Sequence, residues 1–164
     1  VLSGGWVTDT GGIRKVMGLF PTGVTVVAAR GTGDAPVGLT VNSLTSLSLD
    51  PPLLLVCIDR GASCHDRLIE AGSFAVSILG TDQVHVARRF AEDPSEVRFD
   101  GVAWRPGATG DPVLEGCTAW ISCTLESVHR GGDHSILVGR VEASGVGEGE
   151  ALTFYRGRFG TVAK

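Results

Sequence analysis

Residues 38–58 read GLTVNSLTSLSLDPPLLLVCI. Thr40, Asn42, Ser43, Thr45, Ser46 and Ser48 crowd together, and an Asp-Pro-Pro step then leads straight into an apolar run. Hydroxyls and amides are costly to bury without hydrogen-bond partners. Backbone, water or a polar ligand must therefore satisfy them where they meet the strand. The run Leu53–Ile58 is short and continuously apolar, which predicts a strand covered on both faces.

The chain has 164 residues, 43% hydrophobic and 20% charged, which predicts one globular domain over residues 1–164. Its formal net charge of −4 argues against a nucleic-acid partner or an anionic membrane surface, since either needs a basic face. No apolar run approaches the roughly 20 residues of a membrane helix, so no membrane association is expected. No charged-then-apolar leader opens the chain, and a start at Val1 rather than Met suggests a trimmed or incomplete N-terminus. Cys57, Cys64, Cys117 and Cys123 form no C-x-x-C, which points to reduced thiols and a cytoplasmic location.

DTGGIRKVMGL, residues 9–19, predicts a short helix with Val16, Leu19 and Phe20 near one face, broken by Pro21 and Gly23. VTVVAAR, 24–30, is a β-branched strand, and GTGDAP a turn. Ser63 and Asp66 have capping-box spacing for a helix that Gly72 can end. SFAVSIL, 73–79, predicts another strand. TDQVHVARRFA, 81–91, predicts a helix capped by Thr81, with Arg88 and Arg89 in its last turn. In AWISCTLESV, Ile121, Cys123 and Leu125 alternate with Ser122, Thr124 and Glu126, the pattern of a half-buried strand. HRGGDH and SILVGRVEA then predict a hairpin about a Gly-Gly turn. Antiparallel strands with a few short helices suggest a Greek-key barrel or sandwich.

Three features carry chemistry, each with a plain structural alternative. The hydroxyl-rich segment is either a solvated strand edge or a polar cradle for a flat heteroaromatic ligand, with Leu39, Val41, Leu44 and Leu47 as apolar walls. Arg60 and Ser63 stand at a helix start, which is either an ordinary cap or a phosphate site. Asp133 and His134 are either a capped turn with an exposed imidazole or a dyad in which Asp133 orients His134 toward a ligand. The four histidines show no metal-binding spacing, and no glycine-rich dinucleotide loop follows a strand.

Taken together, FPTGVTVV, GLTVNSLTSLSLDPPLLLVCI, ARRFA, GGDHSILVGRV and LTFYRGRFG make the chain resemble the short-chain flavin reductases, from about residue 13 to 160. These are the reductase partners of two-component flavin-dependent monooxygenases. The resemblance implies an all-β fold with short helices, the Greek-key FMN-binding split barrel, working as a homodimer. It implies NADH or NADPH as co-substrate and FMN or FAD as the acceptor, with reduced flavin passed to a monooxygenase component. By the same resemblance, Thr40, Asn42, Ser43, Ser46, Ser48 and Asp50 line the flavin, and Thr22 and Gly23 approach its ring. Arg60 and Ser63 receive its phosphate, with Arg89 and Phe90 nearby. Asp133 and His134 are the catalytic, nicotinamide-side pair, joined there by Tyr155 and Arg158. The loop Gly61-Ala62-Ser63-Cys64 has fewer hydroxyls than is usual in the family, so its backbone N–H groups and Arg60 are expected to carry more of the phosphate contact.

Hydride transfer needs no side-chain acid or base at the reacting carbon, so the protein's task is to position the two rings. Two other readings compete with the reductase. One is a split-barrel protein whose bound flavin serves as an oxidase or redox carrier. The other is a barrel that binds a small molecule without catalysis.

Overall fold

The β-branched run of VTVVAAR forms a strand whose alternate side chains enter two different cores, which is why it is buried almost end to end. The computed structural model describes residues 9–30 and 35–162, so residues 31–34 of the expected turn lie outside the described residues. The chain begins with helix α1 (Thr10–Met17) and the short β1 (Thr22–Gly23), followed by β2 (Thr25–Arg30), β3 (Pro36–Val41), β4 (Thr45–Leu49) and β5 (Pro52–Asp59). Helix α2 (His65–Glu70), β6 (Ser73–Ile78) and α3 (Val84–Glu92) come next, then β7 (Trp104–Pro106) and β8 (Pro112–Leu114). The long strands β9 (Ala119–Gly131) and β10 (His134–Val146) precede a closing hairpin, β11 (Thr153–Tyr155) and β12 (Arg158–Gly160).

The main sheet has seven strands in the order β3-β2-β6-β9-β10-β5-β4, all antiparallel. Strands paired in space but distant in sequence, β6 against β2 and β10 against β5, give the crossed connectivity of a Greek-key barrel rather than a meander. The barrel interior is filled by Val27, Val56, Phe74, Leu137 and their neighbours. A second core lies outside β2, where Val26 and Ala28 meet Ala87 and Phe90 of α3 and Leu114 of β8. Gly139 sits at a register shift between β9 and β10, where a Cβ would stand 2.6 Å from the Phe74 ring. Only glycine lets the strand pass that ring.

Several local expectations change in the folded chain. In β5 the even positions Leu54, Val56 and Ile58 are buried, while Leu53, Leu55 and Cys57 are half-exposed, so the strand is covered on one face only. Ser63 does not cap α2. The N-cap is Cys64, which makes no side-chain capping bond, and Asp66 bonds to His65 instead. Thr81 starts a 3₁₀ turn (Thr81–Gln83) preceding α3, and the Gln83 side chain accepts from the Gly80 N–H. The β9–β10 turn is Gly132-Asp133, with Gly131 still paired to His134 and Gly132 at φ +71°, a left-handed conformation that favours glycine. Ser122, expected to face solvent, is fully buried and accepts from the Ala108 N–H at 3.1 Å. Helix α1 is present, capped by Asp9, but none of its residues is buried.

Candidate functional site

The site is assembled along the last residues of β5. Ser43 follows β3 and cannot join the ladder of β5. Its hydroxyl closes the gap, donating to the Cys57 carbonyl at 2.9 Å and accepting from the Cys57 N–H at 3.1 Å. That reciprocal pair holds the segment Asn42–Leu44 against β5. Asn42 is left exposed, its Nδ2 donating to Thr22 Oγ1 at 3.3 Å. An open cleft of 640 Å³ follows, lined by Thr22, Gly23, Thr25, Asn42, Ser43 and Thr45, with apolar walls from Met17, Phe20, Pro21, Leu44 and Ile78.

The chain then runs about 10 Å from Cys57 to Arg60 at strand rise. Asp59 is the register partner of His134. The Arg60 N–H donates to the Asp133 carbonyl at 3.0 Å, so the loop after β5 and the β9–β10 turn are joined. The Asp133 carboxylate accepts from His134 Nδ1 at 2.8 Å in an exposed pair. The bond and charge of His134 hold the Asp133 carboxyl below its usual range, with Arg14 of α1 contributing a further positive charge. Nδ1 being used this way, Nε2 of His134 is the ring nitrogen left for a ligand.

The expected residues divide into three groups. Thr22, Gly23, Asn42 and Ser43 meet in the cleft. Arg60, Ser63, Asp133 and His134 lie on the loop and turn at the end of β5, outside the cleft lining. The rest fall elsewhere. The Thr40 hydroxyl donates to the Ala87 carbonyl at 2.6 Å, so it fastens α3 to β3 and does not face the cleft. Phe90 is fully buried in the second core, edge-on to Phe99 at 4.9 Å, and cannot touch a ligand. Arg89 is engaged with Asp93 at 3.4 Å and with the Asp100 carbonyl. Ser46, Ser48 and Asp50 lie on the β4–β5 hairpin beyond the cleft lining, where Ser48 Oγ accepts from the Asp50 N–H. Tyr155 and Arg158 pair across β11–β12 and line a separate cleft with Arg156 and Phe159.

The loop after β5, expected to receive the phosphate, uses most of its own amides. The N–H of Gly61 is taken by Asp59 Oδ1 at 2.7 Å, that of Ala62 by the Asp59 carbonyl and that of His65 by the Ala62 carbonyl. With the Arg60 N–H also spent, the donors left for an anion are the amides of Ser63 and Cys64 and the exposed side chains of Arg60 and Ser63. Asp59 was missed as the organiser of this loop, although Asp two residues before Gly is a turn signal. Thr45, Phe20 and Pro21 lay within quoted motifs. Ile78 and Met17 carried no sequence signal for the cleft, because only the packing of α1 and β6 brings them there.

The cleft has the size of a cofactor site and the expected mixture of flat apolar wall and sparse polar groups. Amide and hydroxyl donors of Asn42, Thr22 and Thr45 suit the carbonyl and imide edge of a flavin ring, so the residues present fit that group.

Comparison with known proteins agrees. Residues 17–163 match the flavin reductase like domain. A flavin reductase of Pseudomonas putida is 41% identical over 151 residues, covering 92% of this chain and 88% of that protein. The solved structure of the NADH:FAD oxidoreductase SgcE6 of Streptomyces globisporus C-1027 superposes with a TM-score of 0.90 at 40% identity, covering 98% of this chain and 99% of that one, and it has also been solved in complex with NAD and FAD fragments. Other relatives are longer. The chain spans 49% of the reductase component of an Acinetobacter baylyi trigonelline monooxygenase, to which it is 40% identical over 152 residues, and 44% of a Rhizobium meliloti relative. On its barrel, its cleft and its sequence, this chain belongs to the flavin reductase-like domain family.

Proposed function

We propose that this chain is an NADH-dependent flavin reductase that hands reduced flavin to a monooxygenase component. The observation that carries the reading is the open, mixed-polarity cleft at the end of β5, with the Asp133–His134 pair on the neighbouring turn. Bound flavin would supply the redox chemistry, taking hydride from the nicotinamide. The protein's own contribution is placement. Asn42, Thr22 and Thr45 hold the polar edge of the ring, and Phe20 and Leu44 cover its faces. Arg60 and Ser63 receive the flavin phosphate. Asp133 fixes the His134 imidazole so that Nε2 meets the nicotinamide.

The open cleft supports flavin as an exchangeable substrate over a permanently bound group. FAD is supported as the acceptor by the relatives' chemistry, and FMN fits the same donors. This domain works as a homodimer in the cytoplasm. Among the described residues no helix is long and apolar enough to cross a membrane, and the four cysteines are unpaired.

Incubating the chain with NADH or NADPH against FMN or FAD tests the reading, through loss of nicotinamide absorbance. Rapid consumption supports a reductase. A yellow protein without turnover would indicate a bound-flavin carrier, and neither signal would indicate a non-catalytic barrel. His134→Ala is expected to raise the KM for the nicotinamide by about five-fold, the worth of one hydrogen bond, with a smaller effect on flavin binding. Equal losses for both would remove His134 from its assigned role.

A further inference from the structure

His65 is the first residue of α2 and is nearly fully buried, yet no part of the proposed chemistry uses it. Its Nδ1 lies 2.6 Å from Asp66 Oδ1 and its Nε2 lies 2.9 Å from Ser135 Oγ, a buried hydroxyl 70 residues away on β10. A carboxylate only accepts, so Nδ1 carries the proton, and Nε2 of the neutral ring accepts from the Ser135 hydroxyl. Serine, imidazole and carboxylate at these distances also have the spacing of a nucleophilic triad. Ser135 is 6% exposed, so no substrate carbonyl reaches its oxygen, and the array is not a hydrolytic site.

The loop between β5 and α2 explains what the array does. Helix α2 is six residues long and lacks a side-chain N-cap bond, so its first turn relies locally on backbone bonds, from the His65 N–H to the Ala62 carbonyl and from the Leu68 N–H to the Cys64 carbonyl. The loop and the start of α2 are tied to the β9–β10 hairpin at two points. At its start the Arg60 N–H donates to the Asp133 carbonyl, and at its end His65 bonds to Ser135. Between these ties Arg60, Gly61 and Ser63 stand in solvent. The two anchoring residues on the far side, Asp133 and Ser135, flank His134.

We propose that His65 is a positioning residue that fixes the Arg60–Ser63 loop for recognition of the flavin's phosphate, through its bond to Ser135. This rests on the reading of Arg60 and Ser63 as the phosphate donors. Loss of the strap leaves the ring site along Asn42 and Ser43 intact, because Ser43 is held by β5 and not by α2. It removes the loop's tie to β10 at the helix end, leaving the Arg60 N–H bond to Asp133 and the loop's own backbone bonds, and an exposed guanidinium on a less constrained loop discriminates less well.

The test compares equilibrium binding of FMN with that of riboflavin, which lacks the phosphate, on the full chain. In His65→Leu and in Ser135→Ala, FMN affinity is expected to fall about five-fold while riboflavin affinity stays within about two-fold, one hydrogen bond's worth of discrimination. The double variant should lose no more than either single one, because both remove the same bond. His65→Gln, which keeps a polar atom near the Nε2 position, should restore much of the preference. Equal losses for FMN and riboflavin, additive losses, or an unchanged FMN affinity would each overturn the proposal. Arg60→Ala separates this from failure of the underlying reading. If Arg60→Ala leaves the FMN preference untouched, the phosphate assignment itself is wrong. If it abolishes the preference while the His65 variants do not, only the strap is wrong.

Discussion

Single side chains in this molecule divide by whether the backbone has already claimed them. Ser43 sits in the cleft, but both sides of its hydroxyl are committed to Cys57, so its main work is to join β3 to β5. Asn42, one residue earlier, is exposed and holds only the longer bond to Thr22. Asn42→Ala is therefore expected to weaken flavin binding about five-fold, measured by quenching of flavin fluorescence, with little change in stability. Cys123 shows the opposite case. Burial, reinforced by Glu142 and Asp111, pushes its thiol up to about 12 from an ordinary 9.0. Between those values the unfolded chain has released the proton that the folded chain retains, so this group's contribution to stability is intact below pH 9 and is lost as pH rises toward 12. Cys123→Ala should flatten the alkaline fall of the melting temperature relative to the parent chain, and identical slopes would show that this thiol is not a source of it.

At the level of elements, polar side chains expected to face a ligand turn out to tie one element to another. Thr40 was read as part of the cradle because it lies in the hydroxyl cluster. In the fold, it fastens β3 to α3 through the Ala87 carbonyl and does not line the cleft. Thr40→Val keeps the shape and removes the bond. It should lower stability by about 1 kcal/mol, or about 2–4 °C in Tm, and leave flavin affinity unchanged. A large loss of flavin affinity would return Thr40 to the site. Phe90 and Arg89 follow the same logic. ARRFA reads as a functional motif, but one face of α3 packs the second core with Phe90 while Arg89 is engaged beside the helix end. Helical position decides that outcome, and a motif string carries no information about which face a neighbouring sheet will cover.

On the scale of the molecule, one chain leaves a large apolar surface in solvent. Leu49 is 91% exposed, Phe20 65% and Val16 60%, and the outer face of β5 is only half covered. Exposed large apolar side chains such as these support the proposed homodimer, with Phe20 in the cleft wall and Leu49 on the β4–β5 hairpin. The β4 hairpin carries Ser46, Ser48 and Asp50 away from their own chain's cleft, which leaves them free for such an interface. Leu49→Glu is expected to shift the chain to monomer by light scattering and to reduce flavin affinity along with it. A variant that stays dimeric would place the interface elsewhere.

Periodicity and turn chemistry determined β2, β5, β6, the β9–β10 hairpin, the three helices and the antiparallel class, because those depend on residues a few positions apart, and left the other strands unread. The same locality made Asn42, Arg60 and the Asp133–His134 pair candidates, since each lies in a compact motif. Tertiary structure alone decided which hydroxyls stayed free, because Thr40 and Ser43 found backbone partners 47 and 14 residues away. It alone brought Met17, Ile78 and Thr45 to one cleft and His65 to Ser135. A hydrogen bond is satisfied by whatever lies within about 3 Å, and in a barrel that neighbour is set by strand order rather than by distance along the chain.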